Sequence, residues 1–247
     1  MVDLHCHILP GVDDGAASLE ESCMMARMAA ENGITAIAVT PHSNIPGQVG
    51  NFASEYLFRQ VRTLSQTIRE MGIPLDLYLG AEVFVTPEVP RLIREKKLVT
   101  LAESRYLLVE FAFDEEPAFM SRMLGEIRKE GLIPVVAHPE RYYFVQDTPG
   151  ILHDWREEGT LLQLNKGSLL GAFGRSARRV AHWCLAEGCV HLIGSDAHSP
   201  YRRTPRLSEA WDHVAEFTAP EIADFLLEEN PARILRDLPA GAVLDEF

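Results

Sequence analysis

Cysteine is scarce in this chain, and what there is shows no pairing pattern. Cys6, Cys23, Cys184 and Cys189 include no Cys-x-x-Cys spacing, which removes a zinc ribbon and gives no sign of a disulfide framework. Long apolar runs are missing as well: no stretch reaches the ~18 residues expected of a membrane span, and no charged-then-apolar leader opens the sequence. Positive charge is in short supply. Lys and Arg number 23 against 36 Asp and Glu, a formal charge of −13. That balance argues against nucleic acid and against an anionic membrane surface, both of which call for basic patches. These absences predict a soluble, reduced, cytoplasmic protein with no membrane insertion and no nucleic-acid partner, and they leave a homo-oligomer open.

What is present is a regular alternation. The chain has 247 residues and 47% hydrophobic content, enough for one large core, and the expected domain is a single unit over 1–247. Apolar runs at 1–5, 34–40, 75–81, 105–111, 132–137, 160–165 and 190–195 read as strands. Helical stretches at 18–32, 52–71, 87–96, 117–130, 149–158 and 175–188 separate them, several closed by glycine (Gly33, Gly72, Gly131, Gly188). Near-continuous apolar strands alternating with helices imply an all-parallel sheet covered on both faces. Seven unbroken repeats suggest an α/β fold of the distorted (β/α)7 barrel kind, with a doubly wound open sheet as the alternative. The tail reads as two or three short helices and a polar end. The long connection 41–51 suits a lid or substrate wall.

The unusual residues fall at the strand ends. His5 and His7 follow the first strand, with Asp13 and Asp14 in the turn after it. His42 follows the second, Glu82 ends the third, Glu110 the fourth, and His138 follows the fifth. Asn165 ends the sixth, and Asp196 and His198 follow the seventh. Five of the nine histidines lie at the carboxyl end of the expected strands, where parallel barrels build their sites. His153, His182, His191 and His213 read as structural or exposed.

A lone histidine or glutamate has a dull explanation, but the same accident at seven successive strands does not. Histidine and carboxylate without thiolate fit Mn2+, Fe2+ or Zn2+. Four carboxylates (Asp14, Glu82, Glu110, Asp196) and five imidazoles are too many for one ion and suit two or three. Ions about 3.5–4 Å apart can clamp the attacking and leaving oxygens of a phosphate ester. Arg141 and the pair Arg202–Arg203 flank the ligands, and guanidinium groups suit bidentate phosphate recognition or plain solubility. Tyr142, Tyr143 and Phe144 fit a pocket for an aromatic substrate as well as they fit ordinary packing.

The segments HCHILPGVDDG, TPHS, GAEV, AHPERY, LNKGSLLG and GSDAH, in this order, resemble the PHP (polymerase and histidinol phosphatase) superfamily. They are most similar to its bacterial branch of manganese-dependent protein-tyrosine phosphatases from capsule and exopolysaccharide loci. The resemblance runs from Val2 to about Arg203 and implies a distorted seven-stranded barrel with three divalent metal ions, Mn2+ first. It implies that His5, His7, Glu82 and Asp196 hold one metal, Glu82, Glu110 and His138 a second, and Asp14, His42 and His198 the third. Arg141 and Arg203 would contact the substrate phosphate. The implied partner is a phosphotyrosine protein, a bacterial tyrosine autokinase. Many superfamily members carry histidine where Glu110 stands, and the tyrosine-phosphatase branch carries glutamate.

The expected chemistry is phosphomonoester hydrolysis by a metal-bridging hydroxide, with Asp196 or His198 as a proton shuttle. A cysteine phosphatase needs Cys-x5-Arg, and six residues past the cysteines stand Val12, Ala29, Val190 and Ser195, which rules it out. Histidinol-phosphate hydrolysis or another small-molecule phosphoesterase activity is the nearest alternative. A dinuclear amidohydrolase would want lysine where Glu110 stands. A metal-loaded regulatory subunit without catalysis is the reading of a different class.

Overall fold

A computed structural model describes residues 1–246, and its nine strand segments lie along seven paths. They are β1 (Val2–Cys6), β2 (Ala36–Val39), β3 (His42–Ser43), β4 (Asp76–Leu79), β5 (Glu82–Phe84), β6 (Tyr106–Glu110), β7 (Ile133–Ala137), β8 (Leu161–Asn165) and β9 (Leu192–Gly194). Every pairing is parallel: β1 with β2, β2 with β4, β3 with β5, then β5 through β9 in succession. A bridge from Cys6 to Ala197, and a bond from Asp196 N–H to His5 O of 2.8 Å, return the circuit to β1.

Two of the expected strands are broken. The runs 34–40 and 75–81 read as continuous, but the first path is interrupted at Thr40–Pro41 and the second at Gly80–Ala81. Pro41 has no N–H to offer a neighbour, and a Cβ on Gly80 would sit 3.0 Å from Leu101 and 3.1 Å from Thr40. Glu82 therefore opens a new segment instead of ending the third strand, and His42 opens another directly beside it in register.

The helices start and stop on local signals. In the helix Leu19–Glu31, Ser18 Oγ accepts from Glu21 N–H at 3.3 Å. Glu21 reaches back to Ala17 N–H (2.9 Å), one residue further out than in a capping box. The tail folds into helices Ser208–Phe217, Pro220–Asp224 and Asn230–Leu235, joined by a π turn at Phe225–Glu229. Its last stretch, expected as a polar end, includes a short helix, Val243–Glu246. Bonds from Val243 N–H to Val190 O and from Leu244 N–H to Gly188 O anchor it.

Strand alternation divides the buried residues into two layers. Val2, Leu4, Tyr106, Leu108, Val135, Leu161 and Leu192 pack in one cluster, plugged by Leu101 and Ile234. The intervening Leu107, Val109, Val136, Leu162 and Ile193 join the helices in the other. The first cluster fills the inside of the strand circuit. Glu110 and Asn165 continue its rows at the carboxyl end of β6 and β8, so the strands that form the core also aim the polar groups.

One buried histidine away from those rows titrates with folding. His191 Nδ1 accepts from Leu162 N–H at 3.0 Å, which requires a neutral ring. Burial pushes its pKa down from the usual value to about 3. The unfolded chain takes up a proton near pH 6.5 that the folded chain refuses, so stability is full above that pH and falls as pH drops toward 3. His191→Asn keeps an acceptor near the Nδ1 position and removes the titration. In chelator, the stability difference between wild type and this variant should change by about 1.4 kcal/mol per pH unit between pH 6 and 4, measured by denaturant unfolding.

Candidate metal centre

Three departures from regular strand bring the remaining groups to the inner rim. Register slips between Asp3 and Cys6 in β1, a bulge that turns His5 to the side occupied by Leu4 and leaves Cys6 in the outer layer. His138 and Asp196 have φ of 40° and 50°, in the left-handed region, and so does Arg203 at 51°. Such conformations cost a non-glycine residue about 1–3 kcal/mol and gather at functional sites. The turn after β1 needs Gly15, because a Cβ there would stand 2.1 Å from His7 O.

The nine candidate ligands meet in one cluster. His5 Nε2 and His7 Nε2 are 3.2 Å apart. Glu82 Oε2 lies 3.2 and 3.3 Å from them, and Asp196 Oδ1 lies 3.4 and 3.6 Å away. A second group comprises Asp14, His42 and His198 with His7, and a third comprises His42, Glu82 and Glu110. His42 serves both: Nδ1 is 3.1 Å from Glu82 and from Glu110, and Nε2 is 3.4 Å from Asp14. His138 Nε2 faces Glu82 Oε1 at 3.0 Å and Glu110 Oε2 at 3.8 Å. His198 Nε2 is 3.4 Å from Asp14. All but Asp14 and His42 are buried.

The chemistry of this donor set fits metal ions. His5 Nδ1 is bonded to Gln163 Oε1 (3.1 Å) and His7 Nδ1 to Asp13 Oδ2 (2.7 Å), both acceptors, so the one N–H of each neutral ring is used at Nδ1. In neutral rings both Nε2 atoms are then bare lone pairs, aimed at each other and at two carboxylates. Nothing in that group donates, and such a set requires cations. His42 Nδ1 and His198 Nε2 are buried, and what faces them is again carboxylate oxygen, of Glu82 and Glu110 for the first and of Asp14 for the second. In the metal-free cluster protons fill the role. Burial opposes the charge on His7 and His42, but the hydrogen bonds they donate to Asp13 and Glu82 hold His7 up to about 9, and those to Glu110 and Glu82 hold His42 up to about 11.

Asp196 joins this cluster to the arginines. While Oδ1 faces His5 and His7, Oδ2 accepts from Asn165 Nδ2 (2.6 Å) and pairs with Arg203, with Arg141 Nη1 at 3.5 Å. Burial disfavours its charge, but His5 and Arg203 hold the carboxyl well below the usual range. Phe113 and Phe173 flank the Arg141 guanidinium, their centroids 4.5 and 4.3 Å away. Arg202 is exposed and engages Ser199 only through its backbone. Of the three aromatics after Arg141, Tyr142 is fully buried, bonding Phe111 N–H and Ala137 O. Phe144 packs on Trp155, and Tyr143 alone is exposed beside Arg141.

The family model for capsular polysaccharide synthesis, CpsB/CapC, matches residues 1–236. The chain belongs to the CpsB/CapC family. It is 32% identical over 243 residues to the tyrosine-protein phosphatase YwqE of Bacillus subtilis, covering 96% of this chain and 92% of that one. It is 28% identical over 244 residues to the tyrosine-protein phosphatase CpsB of Streptococcus pneumoniae, covering 96% and 99%. A chain from the crystal structures of YwqE and CpsB, described as unique metal-dependent tyrosine phosphatases, superposes with a TM-score of 0.91 at 31% identity. The match covers 98% of this chain and 97% of that one. A β-aspartyl dipeptidase from Fervidobacterium islandicum, 14% identical with a TM-score of 0.52, shares the fold alone.

Sequence reading gave no role to four residues that the geometry brings in, although it marked Asp13 in the turn after the first strand. Asp13 holds the His7 ring and also accepts His42 N–H (2.8 Å) and Gly15 N–H (2.9 Å). Gln163 holds the His5 ring, and Phe113 and Phe173 hold Arg141. A polar residue inside the apolar run LLQLN was the available signal for Gln163. The habit of ligating imidazoles to bond a carboxylate through their second nitrogen was the signal for Asp13. Asp13→Ala should weaken divalent-ion affinity about 10–100-fold with the fold retained, measured by metal titration and circular dichroism.

Proposed function

We propose that this CpsB/CapC-family protein is a metal-dependent protein-tyrosine phosphatase acting in the cytoplasm on an autophosphorylated bacterial tyrosine kinase. The observation that carries the reading is Asp196, with one oxygen in the His/carboxylate cluster and the other against two arginines. A phosphoryl group bridging those two neighbourhoods would meet metal ions on one side and guanidinium donors on the other. The relatives named tyrosine-protein phosphatases, 32% and 28% identical over 96% of the chain, support it.

The whole of 1–247 acts as one phosphatase unit in this reading. His5, His7, Glu82 and Asp196, then Glu82, Glu110 and His138, then Asp14, His42 and His198 would hold three divalent ions, Mn2+ first, and such ions would supply Lewis acidity at the phosphoryl group. Arg141 and Arg203 bind the phosphoryl oxygens and offset the charge that builds on them. The two phenylalanine rings keep the Arg141 plane fixed, so little side-chain freedom is lost on binding. His5 and Arg203 keep Asp196 ionised, and the Asn165 amide orients it. Phenolate is a comparatively good leaving group, so its departure does not require a strong general acid.

Hydrolysis of a phosphotyrosine peptide should be abolished by chelator and restored by Mn2+. His138→Ala and Asp196→Ala should each lower kcat/KM by several orders of magnitude, whereas Cys6→Ser should retain much of the rate. Equal loss in Cys6→Ser would overturn the proposed chemistry.

A further inference from the structure

Beyond Arg141 the mouth of the centre continues into a groove of about 350 Å3 between Phe113, Tyr143, Phe173 and the start of the helix Gly174–Ala186. Arg175 stands on its wall. Unlike Arg141 and Arg203, which engage Asp196, Arg175 is exposed, and its guanidinium has no hydrogen bond or ion pair among the described residues. No carboxylate lines the groove. The acidic run Asp114–Glu116 follows Phe113 in the chain, but none of its three residues lines the groove.

The charge pattern of the sequence points to the same place. Residues 166–206 carry seven Lys and Arg against two acidic residues, Glu187 and Asp196, in a chain whose formal charge is −13. An acidic protein repels an anionic peptide at a distance. Arg141 and Arg175, which line the groove, offer positive charge where the peptide must dock. Tyr143, 61% exposed on the same groove, offers a flat face for the peptide chain.

We propose that this groove is a second anion subsite. It takes an anionic side chain, phosphate or carboxylate, that neighbours the phosphotyrosine on the same substrate, with Arg175 as its binding group. Arg141 lies between the two anions and is shared by them. The inference rests on the phosphatase reading above and narrows its substrates to acidic or multiply phosphorylated segments.

The test uses the metal-loaded full chain and three phosphotyrosine peptides. Their neighbouring positions carry only alanine, or a glutamate, or a second phosphotyrosine, with the neighbour scanned from one to three residues away. Wild type should favour the glutamate peptide over the alanine peptide about 3- to 5-fold in kcat/KM, the range of an exposed ion pair. The doubly phosphorylated peptide should gain more through bidentate contact. The gain should lie in KM, since it adds binding common to ground and transition states, and it should fade at high salt. In Arg175→Ala the glutamate and alanine peptides should come within twofold of each other, and in Arg175→Glu the order should invert. The alanine-peptide rate reports that each variant still folds.

A gain confined to the second phosphate assigns the subsite to phosphorylated neighbours, and a gain shared with glutamate assigns it to anions generally. Either supports the proposal. Equal kcat/KM on all three peptides, or a preference that survives both substitutions, overturns it. Failure of the wild type to turn over para-nitrophenyl phosphate with Mn2+ supplied overturns the phosphatase reading itself.

Discussion

Two imidazole nitrogens and two carboxylates point at one another inside this protein, with no donor among them when the rings are neutral, and much of the local architecture follows from keeping them there. Lone pairs gathered in a buried space repel unless a cation stands between them. The bulge in β1, the left-handed His138 and Asp196, and the glycine beside His7 are all unfavourable choices for an isolated chain. They are tolerated because the parallel strands and the layer packed inside them over-determine the rim. The imidazole rings of the centre are themselves held from behind, His5 by Gln163 and His7 by Asp13, which fixes the nitrogen each presents.

The same arrangement accounts for an acidic protein with an anion-seeking mouth. The carboxylates are concentrated elsewhere or drawn into the donor cluster, while Arg141 and Arg203 close on the outer oxygen of Asp196. That single side chain couples the two halves of the site: moving it disturbs the imidazoles on one side and the guanidinium groups on the other. Stacking between Phe113 and Phe173 then does for Arg141 what Gln163 and Asp13 do for the histidines, trading side-chain freedom for direction.

Much of this was legible in the sequence because its grammar is local. Alternating apolar runs mark strands, glycines mark helix ends, and a polar residue at the end of a buried strand stands out whatever surrounds it. The strand breaks at Pro41 and Gly80 were harder to read, because apolar content on both sides hides the interruption and the crowding at Gly80 comes from Leu101, distant in sequence. Asp13 was masked by Asp14 beside it: adjacency gives no hint of which carboxylate faces outward to His42 and His198 and which turns back to His7. Tyr142 and Tyr143 differ by one position, and only the three-dimensional path separates a buried clasp from an exposed wall.

The central claim is that the His5, His7, Glu82 and Asp196 atoms converge in order to hold a cation. Anomalous scattering from crystals grown with Mn2+, recorded on both sides of the manganese absorption edge, tests it most directly. The account predicts a strong manganese peak within coordination distance of His5 Nε2, His7 Nε2, Glu82 and Asp196. A map with no anomalous density among those four side chains would contradict it.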